Sequence, residues 1–319
     1  MREETIRTGV VETEVGNYPP CEGSRDAWAR PDRRVRLLEP AAADTVLLPH
    51  GRETPLYLVH AASGGTFMEI PAGWMAVLVP VSGTVSAGGD HLRWELEPGQ
   101  CLVWDRPLRV SGHRQRGRWF CLAGPAEGWI RAGCDPAVIA DMLADEMDCP
   151  ERQVSSLESL QRALCRDADG DGEATAHVRE AMGMLHDRQQ ALRALIPRCP
   201  GRSQRRKRWS MQRLLRIRHA ILAGGQGGRT SMGLLSSQVS YSRGHLARVY
   251  HAVFNETPIE CAIRIRLHRA RRLVEETGLA FCDIAESTGF DSQSSFSRAF
   301  KQRYGLTPTD ARSRAARSP

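Results

Sequence analysis

The order of apolar and polar positions divides this 319-residue chain into two textures. From Thr45 to about Leu122, short apolar runs (TVLL, PLYLVH, WMAVLVPVSGTV, QCLVWD) alternate with turn residues such as Ser63-Gly64-Gly65, Gly88-Gly89-Asp90 and Pro98-Gly99. Strands at this spacing predict a small sandwich or barrel. Beyond Asp135-Pro136, an N-cap and first-turn pair, apolar residues recur every three or four positions, which predicts helices. The first groups are Val138, Met142 and Leu143, then Leu157, Leu160 and Leu164, then Val178, Met182, Leu185, Leu192 and Ile196. A basic run, RSQRRKRW, reads as a linker or arm, and Met211, Leu214, Leu215, Ile221 and Leu222 mark a further amphipathic helix. Residues 1 to about 44 are polar and proline-punctuated, with no pattern that assigns an element.

The last hundred residues contain an internal repeat. Shifted by fifty residues, LARVYHAVFNETPIE falls on FSRAFKQRYGLTPTD, matching Leu246 with Phe296, Tyr250 with Phe300, Phe254 with Tyr304 and Thr257-Pro258 with Thr307-Pro308. A short helix and a tight turn precede each copy, in MGLLSSQVSYS and in CDIAESTGFDS. Each unit is therefore short helix, turn, longer helix. Thr-Pro opens the following helix, and Glu260 or Asp310 supplies the acid of a capping box. Ile259, Ile263, Leu267, Ala270 and Val274 predict one long helix between the units. The longer helix of the second unit buries aromatics on one side and shows Gln293, Ser294, Ser297, Arg298 and Lys301 on the other. These are hydrogen-bond donors unaccompanied by an acid, as a helix-turn-helix needs where its second helix enters a DNA major groove.

Charge sharpens the division. Residues 202–319 hold 22 Lys or Arg against 8 Asp or Glu, a net +14, while the preceding 201 residues carry −7. A basic back and an acidic front predict two domains with different partners. Nine scattered cysteines without a CxxC pair suit reduced thiols better than a disulfide framework or a zinc site. No apolar stretch is long enough to span a bilayer and none at the N-terminus resembles a signal peptide, so the expected location is cytoplasmic. His50, His60, His91 and His113 stand isolated, and no Ser-His-Asp set, phosphate loop or nucleotide fingerprint appears. The expectation is therefore no metal, no cofactor and no enzyme. DADGDGEATAHV carries Asp167, Asp169, Asp171 and Gly172 in calcium-loop spacing, but Val178 replaces the closing Glu, which leaves a flexible acidic connector. Cys199, beside a basic run, is a candidate for a lowered thiol pKa.

Residues 209–315 resemble the DNA-binding domain of AraC/XylS-type transcription regulators, through RIRLHRARRLV, IAESTGF and SSFSRAFKQRYGLTPTDAR. The resemblance implies seven helices, two helix-turn-helix units, a rigid connecting helix, and insertion of both recognition helices into successive major-groove segments. By position, the implied DNA contacts are Arg243, Gly244, His245, Ala247 and Arg248, then Gln293, Ser294, Ser297, Arg298 and Lys301. The first unit departs from the family pattern: Ser236 stands for a packed Ala, Ser240 for the turn Gly and Asn255 for the Gly before Glu-Thr-Pro. GTVSAGGDHLRWELEPGQCLVWD is similar to the turn-and-strand pattern of cupin-like domains.

The expected fold is α+β and multidomain: a cupin-like sensor or dimerisation domain over 1–130, helices over 135–198, a basic linker over 199–208 and the double helix-turn-helix domain over 209–315. The expected function is sequence-specific transcription regulation of a bacterial type. Its partners would be duplex DNA, a small effector, RNA polymerase if it activates, and a second copy if it dimerises, with no membrane. Two alternatives stand beside it: a cupin-type enzyme fused to a DNA-targeting module, and an architectural DNA binder without sequence choice.

Overall fold

The structure, a computed structural model, describes residues 33–48, 54–62, 64–89, 92–112, 117–166, 170–224 and 231–315. In chain order the first strands are β1 (Val35–Leu38), β2 (Thr45–Leu47), β3 (Leu56–Ala61), β4 (Phe67–Ile70) and β5 (Trp74–Ser82). They continue with β6 (Val85–Gly89), β7 (Leu92–Leu96), β8 (Gln100–Trp104), β9 (Leu108–Gly112) and β10 (Arg118–Pro125). Helices α1 (Ala126–Arg131) and α2 (Pro136–Asp141) precede the last strand, β11 (Asp145–Asp148). One sheet has the order β1-β3-β10-β5-β8-β11 and the other β2-β4-β9-β6-β7. Both are antiparallel except for the parallel β1–β3 and β2–β4 pairs.

The side-chain pattern dictates this layering. β3, β5 and β10 are buried along almost their whole length, because both faces of the larger sheet are covered. Its inner face (Tyr57, Val59, Ala76, Leu78, Trp104, Trp119) packs on Met68, Val85, Trp94 and Val110 of the smaller sheet. Its outer face (Leu58, Val77, Val79, Phe120, Leu122) packs on α1, α3 (Glu151–Cys165) and α4 (Gly170–Arg188), through Trp129, Leu157, Leu160, Val178 and Leu185. In β7, by contrast, buried Leu92, Trp94 and Leu96 alternate with exposed Arg93 and half-buried Glu95, as one solvated face requires. The cupin-like expectation of a small double-sheet domain is met.

Several sequence expectations are corrected in this half. Met142 and Leu143 are not helical but follow α2 into β11, whose sequence DEMD carries no strand pattern. It forms by backbone pairing to β8 at the sheet edge, where apolar alternation is not required. Residues 170–178 are not a flexible connector: they begin α4, and Val178, at the twelfth position of the supposed loop, is a fully buried core residue. Asp167 and Asp169, like His50, His91 and His113, lie outside the described residues.

After α5 (Gln190–Arg193) and a 3-10 turn at Ile196–Arg198, the chain enters α6 (Gln204–Gly224), which begins inside the basic run. The repeat follows as α7 (Met232–Gln238) and α8 (Arg243–Phe254), then, past α9 (Pro258–Glu276), as α10 (Phe281–Ser287), α11 (Gln293–Tyr304) and α12 (Pro308–Ala315). Each unit has its own core. Leu235, Leu246, Val249, Tyr250 and Val253 pack with Met211, Leu214, Leu215 and Ile221 of α6. Ile284, Phe296, Phe300 and Ala311 pack with Leu267, Ala270 and Val274 of α9. The first core also takes in Leu143, Ile196 and Cys199 from the front half. Cys199 is therefore not a reactive linker thiol. It is buried, and burial pushes its pKa up to about 11 despite the nearby Lys207.

Candidate nucleic-acid interface

Both longer helices start from a serine cap. The Ser242 hydroxyl accepts the His245 amide at 3.2 Å at the head of α8. Ser292 and Ser295 form a reciprocal box at 3.1 and 3.2 Å at the head of α11. The helices that follow open on full capping boxes, Thr257 with Glu260 and Thr307 with Asp310. Such caps satisfy amides left over in the first turn and are worth roughly 0.5–2 kcal/mol each.

The turns are equivalent but not identical. The Tyr241 amide donates to the Ser236 carbonyl at 3.1 Å, and the Phe290 amide to the Ala285 carbonyl at 2.8 Å. Each turn needs one left-handed residue, Ser240 at φ 52° and Gly289 at φ 78°. The short helices begin 49 residues apart, at 232 and 281, whereas the longer ones begin 50 apart, at 243 and 293. The second turn is one residue longer, so the repeat does not hold a constant offset. Arg266 of α9 braces that turn, donating from Nη1 to the Gly289 carbonyl at 3.2 Å. Asn255, at φ 58°, closes α8 as Gly305, at φ 73°, closes α11.

With the apolar face of each longer helix turned into its own core, the other face is left outward. Arg243, Gly244, Arg248, Gln293, Ser294, Arg298 and Lys301 are exposed; His245, Ala247 and Ser297 are half-buried. Among the described residues no carboxylate pairs with Arg243, Arg248, Arg298 or Lys301. A β-carbon on Gly244 would meet no atom within 4 Å, so packing does not require glycine there. The sequence did not point to Tyr241 as part of this surface. Its ring lies edge-on to His245, centroids 4.7 Å apart, and over the Arg213 guanidinium at 4.1 Å. Among the described residues no group of three metal-ligating side chains converges, and no helix is long and apolar enough to cross a membrane.

Two helix-turn-helix units joined by one rod define a DNA-binding domain, and the comparisons with known proteins agree. Residues 235–314 match the family described as helix-turn-helix domain. The chain is 30% identical over 78 residues to the HTH-type transcriptional regulator CdhR of Pseudomonas aeruginosa, covering 24% of this chain and 23% of that protein. It is 35% identical over 80 residues to the RCS-specific HTH-type transcriptional activator RclR of Escherichia coli, covering 25% and 28% respectively. The chain thus spans about a quarter of the length of these curated relatives. A transcriptional regulator of Chromobacterium violaceum with an AraC-type DNA-binding domain is 24% identical, covering 34% of this chain and 96% of that one with a TM-score of 0.31. Residues 235–314 thus carry a helix-turn-helix domain, and AraC-type is the description of the similar solved structure, not of this chain.

Proposed function

We propose that the protein is a sequence-specific DNA-binding transcription regulator whose acidic front half modulates its basic back half. The observation that supports this best is the pair of serine-capped helices, α8 and α11, each with its outward cations unpaired. A surface that keeps Arg and Lys unpartnered is suited to phosphate and base edges, where counterion release supplies affinity and a few side chains supply selectivity. In this reading Gln293, Ser294, Ser297 and Arg298 read base edges through α11, and Lys301, further along, binds phosphate. Arg243, His245 and Arg248 do the same work on α8. Gly244 and Ala247 add no side-chain donor and allow close backbone approach. The α11 half of the site is thus the more selective.

The front half would dimerise or take up a small effector. Its interior is filled by Trp94, Trp104 and Trp119, which favours an effector bound at the surface. One hollow of about 710 Å³ lies over β6, β7 and β9, lined by Glu69, Arg93 and Arg109 among others. RNA polymerase is a partner if the protein activates. A mobility-shift assay with specific and scrambled competitor DNA tests the central reading: scrambled DNA should compete poorly. Equal competition would leave the architectural alternative.

A further inference from the structure

The basic run ahead of the first unit is divided by what its side chains touch. Lys207 donates to the Pro197 carbonyl at 3.0 Å, and Arg208 pairs with Asp141 and the Ala140 carbonyl. Both are turned back onto the front half. Arg205 and Arg206 are exposed and have no ion-pair partner among the described residues.

They share a face of α6 with Trp209 and Arg213, since positions three and four apart on a helix are neighbours. That face leads directly to the first recognition helix. Arg213, a residue only 8% exposed, sets its guanidinium over two rings, 4.5 Å from the Trp209 centroid and 4.1 Å from that of Tyr241. Tyr241 then meets His245 edge-on at 4.7 Å. Trp209, Arg213, Tyr241 and His245 form one continuous stack from the start of α6 to the first turn of α8. A cation held over two aromatic faces is strongly fixed in place. The stack therefore sets Arg205 and Arg206 at a defined distance from the head of α8. Trp209 stays 56% exposed at its outer end, a large indole facing water beside two unpaired arginines.

We propose that Arg205, Arg206 and Trp209 form an additional DNA-binding surface that grips the phosphate backbone flanking the half-site read by α8. The inference rests on the reading of α8 as a DNA-recognition helix, and it extends that interface beyond both helix-turn-helix units. The occupant follows from charge and continuity. The two guanidiniums match phosphate oxygens, the indole offers an N–H donor and a flat face for sugar, and the surface is joined through rigid contacts to a helix that lies in the adjoining groove. The contact is to backbone, so it adds affinity and salt dependence but no base preference.

The test uses the full chain and two fluorescein-labelled duplexes carrying a site selected from random DNA. One ends at the edge of the α8 half-site and the other runs about half a helical turn, roughly five base pairs, further on that side. The natural protein should bind the longer duplex about tenfold more tightly at low salt, with a log–log salt slope steeper by about two. The Arg205→Ala/Arg206→Ala variant, with unchanged thermal unfolding, should bind both duplexes alike. Extending the duplex at the α11 end should give no comparable gain. Equal binding of both duplexes by the natural protein, or a full length gain in the variant, would overturn the proposal while leaving the regulator reading intact. If neither duplex is preferred over scrambled DNA, the regulator reading fails and this inference falls with it.

Discussion

Nε2 of His219 on α6 lies 2.9 Å from Oδ1 of Asp145 on β11, and both side chains are buried. The Glu146 amide approaches the same nitrogen at 3.3 Å. The shorter contact is the one we assign as a hydrogen bond, with Nε2–H donating to the carboxylate, because a nitrogen that carries the proton cannot also accept one. Trp94 and Trp104 of the sandwich close over the imidazole at 6.0 and 5.9 Å between centroids. The first helix of the DNA-binding domain is thereby seated on the edge of the front domain, and β11 is the strand that receives it.

Removing the acceptor of such a buried hydrogen bond leaves the donor desolvated and unmatched, at a cost of roughly 1–3 kcal/mol. Asp145→Ala should therefore loosen the seat without touching any DNA-facing residue. Limited proteolysis should show faster cleavage between residues 199 and 203. A variant as resistant as the natural protein would show that the remaining α6 contacts hold the domains unaided.

Glu146, beside that seat, gives a pH prediction. Burial raises its carboxyl pKa, with nearby Asp145 adding to the rise and His219 and Arg218 opposing it. A raised folded-state pKa favours folding below the ordinary carboxylate value and loses that contribution as pH rises through the folded value. Glu146→Gln, which keeps an acceptor for the neutral form, should raise stability at pH 7 and make no difference below about pH 4. Denaturant titrations at the two pH values check this. A variant less stable at pH 7 would reverse the sign.

Ser240 occupies the left-handed region at φ 52°, where a side chain costs roughly 1–2 kcal/mol relative to glycine. Ser240→Gly should raise the unfolding temperature by about 1–4 °C. Asn255→Gly should gain less, since Asn tolerates that conformation. A fall in the unfolding temperature of Ser240→Gly would show that the serine side chain stabilises the turn by more than its backbone strains it.

On α11, exposed Arg298 and Lys301 separate the two kinds of DNA contact. Arg298→Ala should cost roughly 1–3 kcal/mol of binding and relax preference at particular bases. Lys301→Ala should weaken binding to all sequences alike and lower the salt slope by about one. Saturation mutagenesis of a bound site, read with both variants, distinguishes them. The assignment is reversed if Lys301→Ala changes base preference and Arg298→Ala does not.

The back domain was legible in the sequence because its signals are local and repeated. Phe296, Phe300 and Tyr304 recur every four residues, Thr-Pro with an acid three residues on opens a helix twice, and net charge marks the outward face. The front domain was legible as strands where apolar runs meet Gly and Pro turns. What escaped depends on contacts between distant segments. β11 is acidic and exists only because β8 offers it an edge, and nothing near His219 announces Asp145, 74 positions away. Val178 kept the period of a core helix while its neighbours imitated a calcium loop. The Trp209–Arg213–Tyr241–His245 stack joins two helices and a turn whose spacing along the chain carries no motif.

Selection of duplexes from a random library by the purified full chain tests the account most directly. It predicts an enriched site of two elements whose centres lie one helical turn apart, about 10–10.5 base pairs, with stricter base choice in the element facing α11. A protein that binds the library in a salt-dependent way but enriches no sequence would contradict it.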